Sequence, residues 1–283
     1  MEKMSSLIEK IEMLPASPAL LPKLARTLER LDKADVTELV DIIAFDSALT
    51  AKLLQIANSA YFGISSAITD VGEAISQIGY DAVFLLAAAI TGEQCMKVAP
   101  GTGLDEVLLW KHSVTVAFGA QHLARGPGLD GNLAFTAGLL HDLGKIVFSE
   151  TYGKNYTNML GPARHGTLSL PAWESEHYGC DHAEAGAALL ENWRLPGSLV
   201  AAVKCHHHPS AAGEYARLAA CVSVGNALSR SLEKAKFDLE PETPDVPVSL
   251  TILGLAPEEL EGHWNRIREN WQFVQTLHGL KSR

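Results

Sequence analysis

The chain has little positive charge, few cysteines and no long apolar run. Its 23 Lys and Arg residues stand against 33 Asp and Glu residues, a formal net charge of −10 over 283 residues. Without a basic surplus to displace counterions from phosphates, general electrostatic binding to DNA or RNA is disfavoured, and no nucleic-acid partner is expected. The four cysteines, at positions 95, 180, 205 and 221, form no Cys-x-x-Cys pair. The N-terminal Met1-Glu2-Lys3-Met4 is charged and leads into an amphipathic stretch, unlike a secretion signal. Both features predict reduced thiols in a cytoplasmic protein. The longest apolar run, Ala82 to Thr91, is about half of the ~20 residues that span a bilayer, so no membrane partner is expected. Apolar–polar alternation never persists beyond a few residues, which removes the usual signature of strands.

What remains is helical periodicity in a chain rich enough to bury a core, at 47% hydrophobic and 20% charged. Leu20, Leu21, Leu24, Leu28 and Leu31 follow Ser17-Pro18, a cap and a first-turn proline. Val36 to Phe45 and the Leu49, Leu53, Ile56 series predict two more helices. Asn58 to Gly63 breaks the period as a loop. Thr69 or Asp70 then caps a helix ending near Gly79, and Ala82 to Met96 is apolar on all sides, as a central bundle helix would be. Further helices are predicted at about 105–124, 132–143, 182–194, 197–207 and 214–232. The fold class is all-α, a multi-helix bundle of two packed helical subdomains, 1–98 and 104–236, separated near Ala99 to Gly103. A proline-containing connector is assigned to 237–256 and an amphipathic helix to 257–283. The stripe Leu260, Trp264, Ile267, Trp271 and Val274 on that helix is expected to dock on the body of the same chain.

The most informative feature is His141-Asp142, inside Gly138-Leu139-Leu140-His141-Asp142-Leu143-Gly144-Lys145, where Gly144 is read as ending the apolar helix. An imidazole and a carboxylate side by side in a leucine-rich run call for a divalent metal or a satisfied buried hydrogen-bond pair. Helical spacing adds polar residues to inward faces. His112 shares a face with Leu109, Val116, Gly119 and Leu123. His182 lies on the helix that Asp181 and Glu184 would start with a capping box, and His206 or His207 shares a face with Leu199 and Val203. His208 precedes Pro209 and is expected to point outward. Imidazoles with a single carboxylate suit iron, manganese, zinc or nickel better than magnesium or calcium. Such an ion lowers the pKa of a bound water, and Lys145 would face an anionic substrate. Cys180 and Cys205 permit a zinc–thiolate alternative, though without finger-like spacing. His122, His165, His177, His263 and His278 receive no role. The turn-rich Gly126 to Gly131 lacks the Lys-Ser/Thr ending of a phosphate-binding loop.

The chain resembles the HD superfamily, and most closely its HDOD branch, the HD-related output domain of bacterial signalling proteins. Leu14-Pro15-Ala16-Ser17-Pro18, Ile43 to Gly63, Trp110 to Ser113, Ala134 to Lys145, Gly179 to Pro196 and Ala202 to Pro209 carry the resemblance, which covers roughly 7–232. It implies a helical bundle with an HD-like half, in a family whose members usually act as regulatory modules. His112, His141 and Asp142 match the first three metal positions of catalytic HD phosphohydrolases. The later aspartate falls on Asn226, a weaker ligand without charge. His182 and His206/His207 match positions that supply further ligands in the branch that cleaves cyclic dinucleotides. That branch continues into a Gly-Tyr-Pro signature, where this chain has Pro209-Ser210-Ala211-Ala212-Gly213. Asp46-Ser47 replaces the family's common Asp-Pro.

Three functions follow as expectations. The first is a non-catalytic signal-transduction output or interaction module that keeps part of an HD-type metal site and acts through a signalling partner. The second is a metal-dependent phosphohydrolase acting on a nucleotide or phosphoester. The third is a pseudoenzyme that senses a metal or a nucleotide.

Overall fold

Helix-starting aspartates set the beginning of many elements. In a computed structural model that describes residues 20–28, 36–125, 128–165, 169–233 and 246–279, every regular element is helical, as the periodicity predicts. The N-terminal half contains α1 (Leu21–Thr27), α2 (Val36–Ala44), α3 (Ser47–Ala57), α4 (Val71–Ile78) and α5 (Tyr80–Cys95). Pro22 lies in the first turn of α1. The predicted Ser17-Pro18 start, and Leu31, lie outside the described residues. Asp46 caps α3 by accepting from the amides of Ala48 and Leu49, and Asp70 caps α4 through Glu73 N. The loop predicted after α3 is closed by Asn58. Its side chain accepts from Ile68 N at 2.8 Å and donates to Ile68 O at 2.8 Å. As expected of a central helix, α5 is buried along most of its length.

The second half contains α6 (Glu106–Leu123), α7 (Gly131–Leu140), α8 (Gly144–Tyr152), α9 (Lys154–His165), α10 (Leu170–Tyr178), α11 (His182–Asn192) and α12 (Gly197–Lys204). After a 3-10 segment, Pro209–Tyr215, come α13 (Ala216–Glu233), α14 (Val246–Leu253) and α15 (Leu260–Gly279). One apolar core runs through both halves, joined where α5 meets α7. A Cβ on Gly92 would approach Leu139 Cδ2 to 2.7 Å, so this junction is close-packed.

Small residues let the second-half helices cross at backbone distance. A Cβ on Gly138 would stand 2.8 Å from Ala117 Cα, and one on Gly119 would stand 3.0 Å from Gly225 Cα. The helices α6, α7 and α13 therefore meet almost without side chains between them, and this brings their polar residues into one place.

Three expectations change. The apolar helix ends at Leu140, and Gly144 opens the next helix instead of closing the first. Its role is steric, because a Cβ there would run into His182 O and stand 2.7 Å from Gly186 N. The span assigned to a connector, 237–256, contains α14. Residues 237–245 lie outside the described residues, and Val246, Leu250 and Leu253 bury one side of a short apolar helix. The three helices α8, α9 and α10 had no counterpart in the periodic reading. The C-terminal stripe docks on α6 as expected, with Leu260, Trp264, Ile267 and Val274 buried. The Trp271 side chain is outside the described residues.

Candidate metal centre

The doublet sits in the turn between α7 and α8, where 3-10-type bonds from Leu143 N to Leu140 O and from Lys145 N to Asp142 O keep the chain tight. This turn aims both side chains of the doublet inward. His112 enters from α6 and His182 from the first turn of α11, whose predicted Asp181–Glu184 capping box is present. His206 and His207 follow the end of α12 at Lys204. His208 is exposed, as expected.

Asp142 is the hub. Its Oδ2 lies 3.4 Å from His141 Nε2 and 3.6 Å from His112 Nε2, and its Oδ1 lies 3.3 Å from His182 Nε2. Lys145 also pairs with Oδ2. The expected anion contact is thus first of all the counter-ion of a buried carboxylate, though the lysine side chain is 14% exposed. Two ligand groups result, His112–His141–Asp142 and His182–His206–His207, with the donor atoms of each within 4.8 Å of one another.

The hydrogen bonds behind the rings decide which nitrogen each presents. His141 Nδ1–H donates to Gly138 O at 2.7 Å, and His206 Nδ1–H donates to Val203 O at 2.7 Å. Each ring therefore turns the Nε2 lone pair into the cluster, where both Nε2 atoms are buried without a hydrogen-bond partner among the described residues. Ser229 Oγ meets His112 Nδ1 at 3.3 Å. This is the arrangement of metal-ligating histidines, in which the far nitrogen is held by an acceptor and the near one is left bare. His182 Nε2 and His207 Nε2 are 3.0 Å apart. Two lone pairs cannot face each other at that distance without a proton or a cation between them. Donors about 2.1 Å from one ion stand about 3.0 to 3.4 Å apart. The residues present therefore fit a divalent transition metal.

Electrostatics agree. Burial holds His141 down to about 3 and keeps His206 and His207 well below the ordinary histidine value, so these rings are neutral and able to bind a cation. Burial opposes ionisation of Asp142, but His141, Lys145 and His182 hold its carboxyl well below the usual range. His182 is the exception: burial works against its charge, yet Glu174 and the hydrogen bonds to Asp142 and Glu174 raise it to about 9. Without an ion its Nε2 therefore carries a proton toward Asp142 and His207, which a bound metal would displace.

The structure brings together His112, His141, Asp142, His182, His206 and His207. Asn226 is buried on α13, three residues from Ser229 and so on the face turned to His112; its Oδ1 has no hydrogen-bond partner among the described residues. The zinc–thiolate alternative falls away, because neither ligand group among the described residues includes a cysteine and burial pushes the Cys180 thiol up to about 12. Sequence reasoning missed Glu174 on α10, a fully buried carboxylate that accepts from His182 Nδ1 at 2.6 Å. Pro171 in the first turn of α10 and the left-handed Gly179 after its end are the start and stop signals that could have located the helix.

Solved structures share this arrangement of helices, and further proteins are similar in sequence. A crystal structure of an HDOD domain protein of unknown function from Geobacter sulfurreducens has a TM-score of 0.72 at 22% identity, covering 96% of this chain and 99% of that one. A Shewanella amazonensis protein provisionally named a phosphohydrolase has a TM-score of 0.73 at 23% identity, covering 97% of each chain. An uncharacterized protein of Treponema pallidum is 28% identical over 232 residues, 81% of this chain and 44% of that protein. Ribonuclease Y of Thermus thermophilus is 32% identical over 126 residues, 44% of this chain and 17% of the ribonuclease. The chain thus spans less than half the length of the curated relatives it matches. The HDOD domain family itself matches residues 14–209, through the N-terminal helices and every histidine of the cluster. The chain belongs to the HDOD domain family.

Proposed function

We propose that the chain is a non-catalytic signalling output module whose HD-like half holds a divalent transition metal, bound by His112, His141, Asp142, His182, His206 and His207. The observation that carries the metal reading is the pair of buried imidazoles, His141 and His206, with Nδ1 committed to backbone carbonyls and Nε2 left bare. A structural histidine pair would have used both nitrogens, since an unsatisfied buried acceptor costs about 1–3 kcal/mol. Two features support a role without turnover. Asn226 stands where the resemblance places a carboxylate, and His141, Asp142, His182 and His206 are each at most 1% exposed, which leaves little room for a substrate beside the ion.

A hydrolytic reading is favoured by one observation, that Asp142 reaches both ligand groups at once, as a carboxylate shared by two ions would. The likeness to ribonuclease Y and to the Shewanella protein supports the same reading. The two separate in one assay. Protein loaded with manganese or iron is offered a generic phosphodiester and nucleotides. The signalling reading predicts that neither is hydrolysed faster than by the metal alone, as read by the alcohol or phosphomonoester freed from the diester and the products formed from the nucleotides. Turnover that Asp142→Ala abolishes would replace it with a phosphohydrolase. The partner is expected to be another signalling protein, reached from surfaces outside the buried cluster.

A further inference from the structure

His182 differs from the other ring ligands in what stands behind it. His141 and His206 lean on backbone carbonyls, but His182 Nδ1 lies 2.6 Å from Glu174 Oε2, a charged acceptor that also takes the His182 backbone N–H at 2.8 Å. The other oxygen, Glu174 Oε1, accepts from Tyr156 OH at 2.7 Å. Glutamate, tyrosine and histidine are each at most 1% exposed. A fully buried carboxylate is costly unless charge-assisted hydrogen bonds answer it on every side, and here three donors do so. The three residues come from α9, α10 and α11, segments that contribute no other residue to the ligand groups. Core stability would be served as well by apolar side chains, so the chain Tyr156–Glu174–His182 has its purpose at the imidazole.

We propose that Glu174, held by Tyr156, is a positioning residue that locks His182 with Nδ1–H outward and Nε2 toward Asp142, and that it sets the affinity of the centre for a divalent transition metal. This rests on the metal reading above. A charged acceptor behind a ligating imidazole fixes the ring orientation and makes the near nitrogen a stronger donor, and its loss typically lowers metal affinity 10–100-fold.

The test compares wild type, Glu174→Gln and Tyr156→Phe as full-length protein, first stripped of metal and then titrated with cobalt(II), read by its absorption bands and by calorimetry. Circular dichroism confirms folding. Glu174→Gln is expected to weaken cobalt binding at least tenfold and to alter the absorption bands, with Tyr156→Phe between it and wild type. A second readout needs no metal. The His182 Nδ1–H proton, held in a short charge-assisted bond, is expected far downfield in a spectrum of histidine-labelled wild-type protein and moves upfield in Glu174→Gln. Failure of the wild type to bind cobalt would overturn the metal reading, while a downfield proton lost in Glu174→Gln would still uphold the positioning role. Wild-type affinity and an unmoved proton in a folded Glu174→Gln would overturn the inference. Should Glu174→Gln not fold, a Tyr156→Phe variant with unchanged cobalt affinity and an unmoved proton would overturn it instead.

Discussion

At the scale of single residues, the site depends on which atom each side chain has left to offer. The bare Nε2 atoms of His141 and His206 ask for a cation, and Asp142 Oδ1 and Asn226 Oδ1 are likewise buried without a hydrogen-bond partner among the described residues. A carboxylate at position 226 would add the missing charge. Asn226→Asp is therefore expected to tighten binding of manganese or zinc by about tenfold or more, since one charged ligand is worth on the order of 1.4 kcal/mol or above in a buried site. Calorimetric titration checks this; unchanged or weaker binding by a folded variant would show that position 226 does not face the ion. The ligand residues were legible in the sequence because His112 and His182 lie on helices and the other four follow a helix end within three residues, close enough for polar residues to stand out against the apolar spacing. Whether His206 or His207 faced inward was open, and both enter the cluster because α12 ends at Lys204 and the following turn swings them to one side. Glu174 stayed hidden because a glutamate in a weakly periodic segment reads as surface. Only its partner 8 residues on, His182, gives it meaning.

At the scale of elements, the doublet works because α8 begins directly against α11. Gly144 makes that approach possible, so Gly144→Ala must push the His182 backbone away. The obstruction is backbone rather than a flexible side-chain end, and the variant is expected to lose about 3 kcal/mol or more, at the upper end of overpacking costs. Urea denaturation of metal-free protein measures this, and a loss under about 1 kcal/mol would show that the α8–α11 approach relaxes easily. The sequence pointed to this glycine for another reason, as a helix terminator. Its steric role could not be read locally, because the atom it avoids belongs to a residue 38 positions further on. Capping was far more legible. The Asp181–Glu184 box acts within four residues of itself and is present as the sequence predicts, and of the two cap candidates, Thr69 and Asp70, the structure uses Asp70.

At the scale of the whole molecule, the C-terminal helix α15 closes over α6, the helix that carries His112. Besides the apolar stripe, it is joined by His263 Nδ1, 3.0 Å from His122 Nε2, two histidines to which the sequence assigned no role. One ring must donate and the other accept, so the contact needs a neutral partner. Burial, then His263, Arg125 and Arg266, lower His122 from 6.5 to about 4; burial and Arg266 lower His263 against the pull of Glu259. In the unfolded chain both rings protonate near 6.5, so below that pH the unfolded state binds more protons. The contribution of this pair is complete above pH 6.5 and fades as the pH falls toward 4. Thermal melts between pH 8 and 5 should show wild type losing stability on acidification, and His122→Gln with a shallower slope. Equal slopes would show that the pair does not govern the acid response.

The central claim is that the histidine–aspartate cluster is a metal centre. Its most direct test is the metal content of protein purified without a metal-binding tag, measured by mass spectrometry for wild type and Asp142→Ala. The account predicts near-stoichiometric iron, manganese, zinc or nickel in the wild type, lost in a variant that circular dichroism shows to be folded. A folded wild type that carries no metal, and takes up none from a solution of these ions, would contradict it.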